Sequence, residues 1–243
     1  MRVYGLIGKP LKHSFSKAYF TQKFEAENIK DCLYQNFELA GINDLSFLLS
    51  SQPNLRGLNV TIPYKKEVLP FLHYQNEVVQ AMQACNCIKI EDGKLYGYNT
   101  DVFGFQKSLQ TFLKPYHRQA LVLGTGGSSN AVQYALQQLG IPFHLVSRSK
   151  QNNTIVYSDV DAAVIEQHQI IINTTPVGMF PNMDAAPDLP YQFINTNHLL
   201  FDLIYNPEQT LFLKKGKEQG ASIANGYQML LLQAEESWRI WNS

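Results

Sequence analysis

The stretch that most restricts the fold of this chain runs from Gln119 to Ser147. Gln119-Ala120-Leu121-Val122-Leu123 reads as a buried strand, and Gly124-Thr125-Gly126-Gly127-Ser128-Ser129 as the turn that follows it. Ala131, Ala135, Leu136 and Leu139 then recur on one helical face, which stops at Gly140 and Pro142, and Phe143–Ser147 is the next strand. Strand, glycine turn, helix and strand in that order make a crossover unit with parallel strands. Glycines at such a turn let the backbone approach a pyrophosphate seated at a helix N-terminus, the opening of a dinucleotide-binding fold. The string departs from G-x-G-x-x-G by carrying Ser129 at the third glycine position, and a plain strand-to-helix loop is the competing reading.

The end of the second strand bears on the cofactor. An NAD site places Asp or Glu there against the ribose hydroxyls. This chain has Ser147-Arg148-Ser149-Lys150 and no acid before Asp159. A guanidinium between two hydroxyls suits a 2′-phosphate, which points to NADP; the bland alternative is a solvated charged loop.

Upstream, strands and helices alternate again. Arg2–Gly8 is a first strand, and a helix through Phe20 and Phe24 follows, with Ser14 or Ser16 placed to cap it. Those hydroxyls serve as caps alone or, with the helix N-terminus, as a carboxylate seat. A strand is expected over 33–38, a helix over 42–50 and a strand over 55–61. The last of these opens the string Asn59-Val60-Thr61-Ile62-Pro63-Tyr64-Lys65, which would deliver an amide, a hydroxyl and a cation to one rim of a sheet. Such a rim suits an oxygen-rich anionic substrate. Short helical patterns follow over 66–69 and 76–82. Asp92-Gly93 then joins strands 84–91 and 94–98 into a hairpin. Asn99-Thr100-Asp101 sits where Val102, Phe105, Leu109 and Phe112 begin a helix, so Asp101 is either a functional acid or one favoured by the helix dipole.

Beyond the glycine turn, a short helix is expected over 158–167, capped by Ser158 or Asp159. Strands at Ile170–Asn173 and 199–203, a polar loop between them, and helices over 210–219 and 226–241 complete the pattern. In the final helix Leu230, Ala234, Trp238 and Trp241 form the core stripe, while Gly226, Met229 and Gln233 share an adjacent face. A buried glutamine there needs a polar partner, which leans towards a ligand.

Composition excludes some functions. With 20 basic and 20 acidic residues in 243, the chain has no electrostatic footprint for nucleic acid or an anionic membrane surface. No apolar run approaches the ~20 residues of a membrane span. Cys32, Cys85 and Cys87 cannot all pair, which fits a reducing cytoplasm, and Cys85 and Cys87 read as strand alternation, so no metal is expected.

Several strings, in their order and spacing, resemble the shikimate dehydrogenase family along nearly the whole chain. They are Gly8-Lys9-Pro10 with His13-Ser14-Phe15-Ser16, the 59–65 string, Asn99-Thr100-Asp101 with Gly104-Phe105, and Gly124-Thr125-Gly126-Gly127. Asn173-Thr174-Thr175-Pro176-Val177-Gly178-Met179, Asp202 with Tyr205-Asn206-Pro207, and Gly226 with Met229-Leu230 and Gln233 complete the set. Departures are Lys17 where the family commonly has proline, Asn86-Cys87 for Asn-Thr, and Ser147-Arg148-Ser149 for Asn-Arg-Thr.

The resemblance implies an α/β chain of two domains. Residues 1–101 with 226–243 would form a substrate domain with an open mixed sheet, and 102–225 a Rossmann-like NADP-binding domain. It implies reversible NADPH-dependent reduction of 3-dehydroshikimate to shikimate, on the route to chorismate and the aromatic amino acids. Lys65 and Asp101 would be the catalytic pair, and Ser14, Ser16, Asn59, Thr61, Asn86, Tyr205 and Gln233 would hold the substrate. Gly124, Gly126 and Gly127 would line the pyrophosphate, Ser147, Arg148 and Ser149 the 2′-phosphate, and Met179, Gly226 and Met229 the nicotinamide. The expected partner is a small molecule, with no nucleic acid or membrane, and the expected state a monomer or homodimer. The rival readings are a quinate/shikimate dehydrogenase using NAD, which Arg148 opposes, and a silent NADP-binding regulatory module, which would be expected to lack Lys65 or Asp101.

Overall fold

The computed structural model describes residues 1–11, 14–150 and 154–243; His13, part of the first motif string, lies outside them. The chain divides into two compact units, Met1–Thr100 with Ala234–Ser243, and Asp101–Gln233.

The first unit runs β1 (Arg2–Gly8), α1 (Phe15–Ala26), β2 (Cys32–Glu38), α2 (Leu45–Ser51), β3 (Leu55–Val60), α3 (Tyr64–Glu67), β4 (Tyr74–Gln75), α4 (Glu77–Met82), β5 (Cys87–Glu91) and β6 (Lys94–Tyr98). Its sheet has the order β2-β1-β3-β5-β6-β4. The β2-β1-β3 half is parallel, as strand–helix alternation demands, whereas β5 runs antiparallel to β3 and to β6, so the sheet is mixed. The β5–β6 turn is Asp92-Gly93, both at positive φ (49° and 72°), the backbone that an Asp-Gly hairpin requires.

The C-terminal helix α9 (Tyr227–Trp241) starts in the second unit and ends in the first. Its last turns close an aromatic core with Tyr4, Phe20, Phe24 and Tyr34. Trp241 stacks on Tyr4 with centroids 4.9 Å apart and donates its indole N–H to the Ile88 carbonyl at 3.0 Å. The buried indole therefore keeps its one polar atom satisfied. Gly57 makes the contact possible, since a Cβ there would lie 2.4 Å from the Trp241 ring.

The second unit runs α5 (Thr100–Gln110), β7 (Ala120–Leu123), α6 (Gly127–Gln138), β8 (Phe143–Ser147), β9 (Thr154–Val156), α7 (Ala162–Gln167), β10 (Ile170–Asn173), β11 (Leu199–Asp202), α8 (Leu211–Glu218) and β12 (Ser222–Ala224), and then enters α9. Its sheet, β12-β11-β10-β7-β8-β9, is parallel throughout. Read from β9, that is the doubly wound order, with the reversal between β7 and β10 and the glycine turn directly after β7. β7, β10 and β11 are wholly buried, which explains their continuous runs of apolar residues.

Several local expectations need correction. The strand expected over 55–61 stops at Val60, and the helical pattern expected over 66–69 begins earlier, so that Lys65 lies in the helical turn α3 rather than on a strand rim. The helix expected over 42–50 opens as a 3-10 turn at Ile42–Asp44 and becomes α-helical from Leu45. The helix expected over 158–167 is a 3-10 turn at Tyr157–Asp159 followed by α7, whose cap is Asp161 accepting from the Val164 amide at 2.9 Å. The hairpin strand expected from residue 84 begins at Cys87, and β4, β9 and β12 were not foreseen.

Candidate active site

In the first unit Ser16, Asn59 and Asn86 belong to one polar network, while Ser14, Thr61 and Lys65 are held by separate contacts. Ser14 caps α1, its hydroxyl accepting from the Lys17 amide at 3.2 Å. Ser16, two residues further in, hydrogen-bonds the buried Tyr34 phenol, and burial pushes that phenol's pKa up. Tyr34 donates its hydroxyl to Asn59 Oδ1 at 2.8 Å. Asn59, only 4 % exposed, gives its own amide hydrogens to Ser237 Oγ at 2.9 Å and to the Asn86 carbonyl at 3.4 Å.

Asn86 in turn accepts from the Thr100 amide at 2.7 Å and approaches its hydroxyl, which lies 3.2 Å from Ser237 Oγ. Buried amides paired this fully are held in one orientation. The turn bearing Lys65 is tied to the same region, because its carbonyl accepts from the Cys85 amide at 2.8 Å. The Thr61 amide donates to the Ile7 carbonyl at 2.9 Å, and both Thr61 and Lys65 are half-buried.

Tyr34, Thr100 and Ser237 were not singled out as site residues. Ser237 had a signal available: it lies four positions after Gln233 in a helix, so both side chains fall on one face.

In the second unit the glycine turn has the properties an anion seat needs. Gly124 is at φ +104°, a backbone that L side chains rarely adopt, and a Cβ there would meet Thr174 Oγ1 at 2.9 Å. Gly126 is the N-cap of α6 and supplies no side-chain cap, so the first-turn amides, which have no intrahelical acceptors, face outwards. A Cβ on Gly126 or Gly127 would meet nothing within 4 Å, leaving open space where a ligand backbone can approach. Ser129, in the third glycine position, is fully buried and accepts from Gln133 Nε2 at 3.1 Å.

At the end of β8, Arg148 and Ser149 are exposed, while Ser147 is buried and donates its hydroxyl to the Ser149 carbonyl. These residues fit a 2′-phosphorylated dinucleotide: a bare helix N-terminus for the pyrophosphate and a guanidinium one strand away.

Asn173 and Asp202 end the neighbouring strands β10 and β11 and hydrogen-bond at 3.0 Å. Met179 (46 % exposed) and Tyr205 (42 % exposed) lie in the segments that follow. Gly226 precedes α9 with the Leu203 carbonyl so close that a Cβ would sit 2.1 Å from it, so packing alone demands glycine there. Met229 is half-buried, and Gln233 is buried with its amide donated to the Leu230 carbonyl at 3.1 Å. Asp101 lies half-buried in the first turn of α5. Among the described residues there is no cluster of three or more His, Cys, Asp or Glu that could hold a metal.

The sequence profile of the shikimate dehydrogenase substrate binding domain matches residues 6–88. An NADP(+)-dependent shikimate dehydrogenase of Aquifex aeolicus is 36 % identical over 252 aligned residues, covering 99 % of this chain and 91 % of the relative. The chain belongs to the shikimate dehydrogenase family. Solved structures agree with that membership. The Aquifex aeolicus shikimate dehydrogenase superposes with a TM-score of 0.86 at 34 % identity, covering 100 % of this chain and 92 % of the other. The shikimate 5-dehydrogenase of Thermus thermophilus, in complex with NADP(H) and shikimate, gives 0.85 at 28 % identity over 99 % and 93 %. A quinate dehydrogenase of Corynebacterium glutamicum in complex with NAD gives 0.84 at 26 % identity over 99 % and 93 %. Neighbours on this fold are thus seen with either cofactor.

Proposed function

We propose that this chain is an NADP-dependent shikimate dehydrogenase that reversibly reduces 3-dehydroshikimate to shikimate. The observation that carries the reading is the end-to-end likeness to an NADP(+)-dependent shikimate dehydrogenase, with Lys65, Asp101 and Arg148 all present. In this reading residues 1–101 with 226–243 bind substrate, and 102–225 bind NADP. A cytoplasmic monomer or homodimer serving aromatic amino acid synthesis is part of the same proposal. No helix among the described residues is long and apolar enough to cross a membrane.

Bound NADPH supplies the hydride, and the chain's side chains bind, orient and protonate. Hydride arrival at a ketone carbon leaves an alkoxide, which needs a cation nearby and then a proton. Lys65 and Asp101 are assigned to that work as a pair, and the transferred proton belongs to the pair rather than to either member. Ser14 and Ser16 take the substrate carboxylate, and Asn59, Thr61, Asn86, Tyr205 and Gln233 its remaining oxygens. The hydrogen bonds among Tyr34, Asn59, Asn86, Thr100 and Ser237 support this, because they fix the amides before substrate arrives.

Gly124, Gly126 and Gly127 are assigned to the pyrophosphate, Ser147, Arg148 and Ser149 to the 2′-phosphate, and Met179, Gly226 and Met229 to the nicotinamide. The direct test is to supply 3-dehydroshikimate and NADPH to the purified protein. Formation of shikimate with matching loss of NADPH is expected, and absence of turnover would contradict the reading.

A further inference from the structure

Asp202 is fully buried at the end of β11, and the donors that reach its carboxylate are all uncharged. Asn173 Nδ2 and the Ile204 amide both donate to Oδ1 at 3.0 Å, and Thr210 Oγ1 donates to Oδ2 at 2.6 Å. Each donor anchors a different segment. Asn173 ends β10, and its own Oδ1 accepts from the Thr175 amide at 3.0 Å and the Thr175 hydroxyl at 2.7 Å. Its Nδ2 also reaches the Val177 carbonyl at 3.4 Å, so this one amide shapes the turn leading to Met179.

Ile204 opens the segment carrying Tyr205, and its carbonyl accepts from the Gly226 amide at 3.1 Å. Thr210 caps α8 by accepting from the Leu213 amide, and its Cβ would lie 3.6 Å from a Cβ on Gly178. Only a carboxylate can accept from all three donors without presenting a donor of its own.

Burial without a countercharge is costly for a carboxylate, and it pushes the Asp202 pKa up to about 6 despite the three hydrogen bonds. The titratable neighbour that its charge acts on is Tyr191, whose pKa is raised chiefly by burial. Ionisation of a group buried this way costs the fold stability, so its service is better sought in the site it braces.

We propose that Asp202 is a positioning residue for the nicotinamide end of the cofactor: its carboxylate locks Asn173, Ile204 and Thr210 together and, through Asn173, fixes the turn over 174–179. The proposal rests on the assignment of Met179, Gly226 and Met229 to the nicotinamide. Asp202 touches neither substrate nor cofactor in this role; it acts through Asn173.

The test compares Asp202→Asn with the parent protein in binding NADPH and 2′,5′-ADP, which carries the phosphorylated adenosine end but no nicotinamide. The variant is expected to weaken NADPH about tenfold while 2′,5′-ADP stays within about twofold. The melting temperature of the ligand-free protein at neutral pH should stay level or rise. Equal affinity for NADPH in the two proteins, or parallel loss for both ligands with a lower melting temperature, would overturn the proposal.

Met179→Ala separates the two assumptions. If it leaves NADPH binding intact, the nicotinamide assignment fails and the proposal with it; if it weakens NADPH while Asp202→Asn does not, the positioning role alone fails. Should Asp202→Asn not fold, Thr210→Val takes its place, with the same split between ligands expected and Thr210→Ser expected to restore it. An unchanged NADPH affinity in Thr210→Val would count against the role.

Discussion

At the scale of single residues, groups that do chemistry are distinct from groups that hold them. Lys65→Ala should lower kcat by about 10²–10⁴-fold, the range for loss of a positioned acid–base group, with KM changed little. An unchanged kcat in steady-state assays would remove Lys65 from the mechanism. Arg148 should act on cofactor choice alone. Arg148→Ala is expected to reduce kcat/KM for NADP⁺ by roughly tenfold or more while leaving that for NAD⁺ nearly unchanged, because a charge-assisted bond to a 2′-phosphate has no counterpart in NAD.

Both side chains stand out in the sequence, Lys65 through the family resemblance and Arg148 through its place at a strand end, and the two variants test their roles. The network around Asn59 does not stand out. Sequence offers Asn59 as an amide on a strand rim, but its amide hydrogens are committed to Ser237 and the Asn86 carbonyl, partners 178 and 27 positions away. No local pattern announces such pairs, since only the folded sheet and α9 bring them together.

At the scale of elements, what could be read from the chain was whatever depends on backbone chemistry within a few residues. The Asp92-Gly93 turn and the glycine turn before α6 each follow from a local conformational need. The edge strands β4, β9 and β12 did not follow, being two or three residues long and defined by their partners in the sheet rather than by alternation. The cap of α7 was misplaced because Ser158, Asp159 and Asp161 are all competent caps, and where the helix turns is settled by packing.

Gly226 gives a prediction at this scale. The Leu203 carbonyl beside it belongs to backbone that hydrogen-bonds β10, its amide donating to the Asn173 carbonyl at 3.0 Å, so it cannot move aside cheaply. Gly226→Ala should therefore lower stability by about 1–3 kcal/mol, read as a reduced denaturation midpoint at unchanged slope. Unchanged stability would show that the start of α9 can shift to make room.

For the whole molecule, the buried Asp202 ties stability to pH. Its carboxyl moves from 3.8 to about 6 on folding, chiefly through burial, so the folded chain holds this proton more tightly than the unfolded one. The contribution is complete below pH 3.8 and is lost as pH rises towards 6. Above that range the ionised group costs on the order of 3 kcal/mol. The stability of Asp202→Asn relative to the parent should accordingly rise between about pH 4 and pH 7, measured by denaturant unfolding at each pH. A pH-independent difference between the two proteins would contradict the assignment of that titration to Asp202.

One unit with a mixed sheet and one with a doubly wound parallel sheet supply the scaffold for a hydride transfer, and its choice of shikimate and NADP must come from the site residues. The measurement that tests it most directly is the kcat/KM of the purified protein for shikimate and quinate, each with NADP⁺ and NAD⁺. Shikimate with NADP⁺ is predicted to exceed the other three combinations by a wide margin, and equal or better turnover of quinate with NAD⁺ would contradict the claim.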